Sequence, residues 1–164
     1  MASLKMQGMS EYIEKLEKCG GKDSLGMVKH AVYVGAGVIV KAVDKAIDTI
    51  PTNKHAYIRG NAQIIGLSAH QKQGLHEGLG LAQMQDQNGY VNTKLGFDGY
   101  NDEYDRGHVS IHQPNILIAR SVESGTSRRP ATHFVAKAVR AAKAQCEAEM
   151  AKDVDQYLNK IMEG

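Results

Sequence analysis

Two long stretches of helical period constrain this chain more than anything else in it. In the first, Met27, Val28, Ala31, Gly35, Val38, Ala42 and Ala46 recur at steps of three and four. Lys41, Asp44, Lys45 and Asp48 share the opposite face. Asp23 or Ser24 supplies an N-cap, the helix runs to about Thr49, and Pro51 marks its stop. In the second, Val135, Ala138, Val139, Ala142, Cys146, Met150, Val154, Tyr157, Leu158 and Ile161 form one stripe. This predicts a helix over 131–162, roughly 45 Å long at about 1.5 Å per residue. A small sheet cannot cover that length, so its far end is expected to meet another chain. A shorter helix over 11–18 follows Ser10 and ends at Gly20-Gly21.

The middle of the chain reads differently. Residues 51–77 lack periodicity and read as an extended loop with one helical turn near 67–73. Residues 78–85 and 89–97 predict a hairpin, because Asn88-Gly89 suits the positive backbone angles of a tight turn. Residues 98–114 are rich in Gly, Asp and Tyr and read as a second loop. Ile116, Ile118 and the Arg120–Val122 stretch read as a third strand, and Gly125-Thr126-Ser127 as a turn. The expected fold class is α+β. A small, mostly antiparallel sheet is packed by a long helix in the N-terminal half and a long C-terminal helix. Two extended loops, 52–76 and 98–114, complete a single domain over 1–164.

Aromatic residues make up only 5% of the chain and Trp is absent, so Ala, Val, Ile, Leu and Met must build the core. Such a module gains stability by packing on copies or partners. The net charge of +2 hides a marked zoning. Arg120, Arg128, Arg129, Lys137, Arg140 and Lys143 face Glu123 alone within 119–145. Residues 146–164 are acidic, and so are 86–105, through Asp86, Asp98, Asp102, Glu103 and Asp105. A basic zone between acidic zones suits head-to-tail contact between copies, a charged partner, or simply a solvated surface. Two isolated cysteines, Cys19 and Cys146, point to reduced thiols and a cytosolic origin. No signal peptide is expected at the N-terminus, and no segment is expected to span a membrane.

Motifs for chemistry fail one by one. Gly35-Ala36-Gly37 invites a dinucleotide loop, but the third glycine position is Val40 and helical period runs straight through. Close approach of two helices explains these small residues better. His108 and His112 are four apart but lack the further ligands a metal needs. Ser124-Gly125-Thr126-Ser127 carries hydroxyls near His133 without a GxSxG elbow; Thr126 or Ser127 is expected to cap the last helix instead. Arg128 and Arg129 suit phosphate, or acidic residues of a neighbouring subunit; the second is preferred because no aromatic platform accompanies them. No catalytic, cofactor or metal site is expected.

Three segments carry a resemblance: GLSAHQKQGLHEGLGLA (66–82), GFDGY (96–100), and ARSVESGTS (119–127) followed by Arg129-Pro130 and Phe134. Together they resemble the head–tail joining, or tail-completion, family of long-tailed double-stranded DNA phages. The match covers most of residues 5–163. It departs from the family pattern where the usual prolines and arginine after the Gly-Thr-Ser corner are replaced by His133-Phe134-Val135-Ala136-Lys137-Ala138. The resemblance implies a structural virion protein rather than an enzyme. It implies a ring of copies at the head–tail junction, made in the host cytoplasm, touching neck and tail-tube proteins. DNA in the channel is a further expected contact; no membrane, small-molecule substrate or cofactor is implied. A tail terminator, and a DNA-binding module using 119–143, are the alternatives. The expected interface residues are Arg120, Glu123, Ser124, Gly125, Thr126, Ser127, Arg128 and Arg129, with Asp98, Tyr100, Asp102 and Asp105 on the second loop.

Overall fold

A computed structural model of the chain describes residues 17, 20–53, 63–88, 90–104 and 110–163. The expected helix over 11–18 lies outside the described residues, apart from Glu17, as do Cys19, Gly89, Asp105 and His108. The fold is α+β, with a long helix of the N-terminal half packed against a long C-terminal helix. The helices are α1 (Lys22–Asp48), α2 (Ala69–Gly78), α3 (Asn115–Ser124) and α4 (Phe134–Glu163). The strands are β1 (Thr52–Asn53), β2 (Leu67–Ser68), β3 (Leu79–Leu81), β4 (Gln85–Gln87), β5 (Tyr90–Asn92), β6 (Leu95–Phe97), β7 (Tyr100–Tyr104) and β8 (Ser110–Pro114).

The α1 and α4 helices run antiparallel. His30 meets Asp153 at one end, Gly35 meets Cys146 and Met150 in the middle, and Ala42 lies near Ala138 at the other. The far end of α4 is therefore accompanied by α1 of the same chain at least as far as Asp153. The 27 residues of α1 nearly match the 30 of α4. At Gly35 the α4 side chains come against the α1 backbone: a Cβ there would lie 2.5 Å from Met150 Sδ and 3.0 Å from Cys146 Sγ. Gly37 faces open space, so Gly35 alone of the pair answers to packing. A continuous helix through both glycines removes the dinucleotide-loop reading.

By length and composition alone, Ser24–Asp48 is long and apolar enough to cross a membrane, a test that the core helix of a soluble protein also passes. The reason is charge placement: between Lys29 and Asp44 the only formally charged residue is Lys41.

The strands form two-stranded ladders rather than one continuous sheet. β1 pairs parallel with β2, while β3–β6, β4–β5 and β7–β8 are antiparallel. β3 to β6 make the expected hairpin, with Asn88 at φ 54° in its turn. The ladder narrows at Ala82, whose amide donates to the Lys94 carbonyl at 2.8 Å.

Two expectations fail. Residues 98–114 are not a plain loop, because β7 and β8 form a second hairpin. Residues 116–122 are not a strand, because they lie within α3. Its buried positions, Asn115, Ile118, Ala119 and Val122, follow helical spacing. The helical turn expected near 67–73 is a full helix, α2, opened by a reciprocal cap. Ser68 Oγ accepts from the Gln71 amide at 3.0 Å, and Gln71 Oε1 accepts from the Ser68 amide at 3.3 Å.

One core joins these parts. Val43, Ile47 and Ile50 from α1 and its end pack with Leu67, Leu75, Phe97, Ile118, Val122, Phe134 and Ala138. The Phe97 and Phe134 rings lie 6.2 Å apart, tilted by 50°.

Candidate interaction site

The residues singled out in the sequence fall into two corners at opposite ends of α3, which spans about 15 Å at ~1.5 Å per residue.

The first corner is the Gly-Phe-Asp-Gly-Tyr turn. The Asp98 amide donates to the Gly78 carbonyl at 2.7 Å, and Asp98 Oδ1 accepts from the Gly99 amide at 2.8 Å. Asn115, buried at the start of α3, donates through Nδ2 to the carbonyls of Asp98 (2.7 Å) and Gly74 (2.9 Å). Its own amide donates to the Gly99 carbonyl at 3.0 Å. One side chain thereby ties the turn, α2 and α3 together. A Cβ on Gly78 would sit 2.2 Å from the Asp98 carbonyl oxygen, so α2 ends in backbone contact with this turn. Asn101 is also buried and donates to the His70 carbonyl at 3.0 Å. Asp98 is thus a turn-building residue.

Tyr100 and Asp102 point to a different role. Tyr100 is 59% exposed, and its ring stacks on His112 at 4.3 Å with only 9° between planes. His112 Nδ1 in turn meets Asp102 Oδ1 across the β7–β8 pair. These three side chains form an exposed ladder on the hairpin, and Asp105 lies outside the described residues. No group of three or more metal-ligating side chains occurs among the described residues.

The second corner runs from Glu123 to His133 and is closed on itself. Gly125 has φ 76° and ψ 175°, a region that only glycine occupies readily. Thr126 Oγ1 accepts from the amides of Arg128 (3.3 Å) and Arg129 (3.1 Å), so it caps a tight turn. It does not cap the last helix, and neither does Ser127, because α4 begins at Phe134. That corrects the expected cap. The capping acceptor is Glu123, whose Oε2 accepts from the Val135 amide at 2.8 Å and Oε1 from the Ala136 amide at 3.1 Å. A carboxylate placed there satisfies amides that the first turn leaves open and complements the helix dipole. The Thr132 and His133 amides donate to the carbonyls of Val122 (2.9 Å) and Glu123 (3.1 Å), occupying the end of α3.

Arg129 is only 9% exposed, and burial holds its guanidinium below the usual arginine value. Its Nη1 donates to Ser121 Oγ at 3.4 Å. Arg128 contributes its carbonyl to the Ile64 amide at 2.8 Å. The basic zone therefore divides: Arg129 is sunk into the fold, while Arg120, Lys137, Arg140 and Lys143 are exposed. Ser124 and Ser127 are both exposed.

The outward face of α3 is the surface that sequence reading missed. Ile116 is 50% and Leu117 54% exposed, and Arg120 lies one turn further on. Two exposed aliphatic side chains beside a cation form a small amphipathic face between the corners. The signal was present in the alternation-breaking pair Ile116-Leu117, which a half-buried strand does not favour.

Comparison of the chain with known protein families, curated proteins and solved structures finds no match.

Proposed function

We propose that this chain is a structural virion protein of a long-tailed DNA phage, completing or joining the tail at the head–tail interface as a ring of copies. The observation that carries the reading is where the three family-like segments fall. GLSAHQKQGL forms the capped helix α2, GFDGY forms the turn it locks onto, and ESGTS forms the corner that launches α4. Their conspicuous residues serve folding: Asp98, Gly78 and Asn115 at one corner, Glu123, Gly125 and Thr126 at the other. Motifs spent on a scaffold fit a structural protein better than an enzyme. In this reading the exposed β7–β8 hairpin and the Ile116, Leu117 and Arg120 face meet neighbouring neck or tail proteins.

Electron microscopy of lysates from a phage lacking this gene tests the reading. Filled heads beside separate tails of normal length are the expected outcome. Overlong tubes assign a terminator role instead, and normal infectious particles overturn the proposal. Replacing the exposed Tyr100, Asp102 and His112 of the hairpin by alanine together is expected to abolish infectious yield while the protein still accumulates.

A second reading, binding of DNA, draws on the exposed Arg120, Lys137, Arg140 and Lys143. It requires affinity that falls steeply with added salt. Absence of binding at low salt removes it.

A further inference from the structure

The α1–α4 pair carries an apolar groove along one flank that the described residues leave open. One stretch, about 590 Å³, lies between Ala42, Ala46 and Ile50 of α1 and its end and Phe134, Ala138 and Ala141 of α4. A second stretch, about 650 Å³, continues past Val34, Gly37 and Val38 to His30 and Glu149. The two share Ala42, Lys45 and Gln145 and so form one channel. From residue 30 to 49 it runs about 28 Å at ~1.5 Å per residue. Val34, Gly37, Val38 and Ala42 of α1 are half-buried along this flank.

The charges on the rim say what fits there. Lys45, where the two stretches join, and Lys137 lie on one side of residue 40, and Glu149 lies on the other. None of the three makes an ion pair with another of the described residues. The helices are antiparallel and in register, with residue 30 opposite 153. Glu149 is therefore level with about residue 34, while Lys45 and Lys137 are level with each other. A twofold axis through the groove near residue 40 brings Lys45 and Lys137 of one copy level with Glu149 of the other.

We propose that this groove is an interface between two copies of the chain, packed as an antiparallel four-helix layer in which Lys45 of each copy meets Glu149 of the other. Two helices, each about 10 Å wide and in contact over ~28 Å, bury on the order of 600 Å² per copy, at the low end of specific interfaces. The small floor of Ala42, Ala46, Ala138 and Ala141 lets the helix pairs approach closely. Lys41 approaches its own copy near the axis, a like-charge contact that keeps the association moderate. The inference stands without the functional reading, since it concerns the purified chain alone.

Sedimentation of the full chain across a concentration series tests it. The wild type is expected to pass from 17.9 kDa to twice that mass as concentration rises. Lys45→Glu and Glu149→Lys, each alone, are expected to weaken association at least tenfold. Mixing the two single variants is expected to restore it, because a mixed pair matches both charge contacts. Restoration on mixing also shows that the single variants are folded. A monomer at every concentration, single reversals without effect, or a mixture no tighter than its components overturns the proposal. So does a monomer that floats with phosphatidylglycerol vesicles, which would give the groove to a lipid surface, or a crosslink from the groove to residues 1–19 of the same molecule.

Discussion

Glu123 shows how one side chain can carry a corner. Its two oxygens accept from consecutive amides at the start of α4, while its own carbonyl accepts from the His133 amide. Replacing it by alanine opens both amides and is expected to cost about 0.5–2 kcal/mol, the range for a lost cap. Glu123→Gln should recover part of that, because one amide oxygen remains to accept. Urea denaturation of both variants checks the order, and equal stability of Glu123→Ala and wild type would refute the cap. Cys146 offers a second residue-scale test. Burial, followed by the neighbouring Glu147 charge, pushes its thiol above the ordinary value. The thiol also donates to Met150 Sδ at 3.8 Å. In a Cys19→Ser background, Cys146 should react with a disulfide reagent more slowly than a free thiol at pH 8. The sign of the stability effect follows. The raised value means that the unfolded thiol ionises first, so stability is full below the unfolded pKa. It declines as pH rises toward the folded one.

At the scale of elements, the decisive contact is the lock between α2, the Gly-Phe-Asp-Gly-Tyr turn and α3. Gly78→Ala would drive a Cβ to 2.2 Å from a backbone oxygen, where no flexible side chain can yield. A loss of about 1–3 kcal/mol is expected, as for other overpacked sites. Asn115→Ala would remove the two hydrogen bonds donated to the carbonyls of Asp98 and Gly74 and should cost a similar amount. The two losses should fall short of additive in the double variant, since both open the same joint. Thermal melts of the four proteins check this, and strict additivity would mean that the joint is not one unit. None of this joint could be read from the sequence, because Gly78, Asp98 and Asn115 are far apart in the chain and alike in type to any loop residues. What was legible had local cause. The two long helices showed in their three-four spacing, and the first hairpin in Asn88-Gly89. The second hairpin escaped because Tyr100–Tyr104 and Ser110–Pro114 lack an apolar alternation. The α3 helix escaped because Ile116, Ile118 and Val122 favour strand by type, while its burial follows Asn115, Ile118, Ala119 and Val122.

For the whole molecule, the question is whether the paired helices and the small ladders stand or fall together. Phe134 is the hinge of that question. It is 4% exposed, opens α4, touches Phe97 at the end of the first hairpin, and lines the floor of the open groove. The core it belongs to takes residues from α1, α2, α3 and α4 alike. Nothing in that cluster divides helix pair from ladder region, so one cooperative transition is expected. Phe134→Ala should cost about 3–5 kcal/mol, the range for a large aromatic removed from a core. It should lower the midpoint seen by far-UV circular dichroism and that seen by tyrosine fluorescence by the same amount. Far-UV signal is dominated by α1 and α4, whereas in a background with Tyr12, Tyr33, Tyr57 and Tyr157 changed to Phe the tyrosine signal comes from Tyr90, Tyr100 and Tyr104 of the hairpins. If the helices outlast the tyrosine signal in the variant, the helix pair is a separate folding unit and Phe134 merely touches the rest. If the two probes move together, the two phenylalanines of this chain, Phe97 and Phe134, join the helices to the hairpins. That would explain how a core built largely from Ala, Val, Ile and Leu holds four short ladders in place.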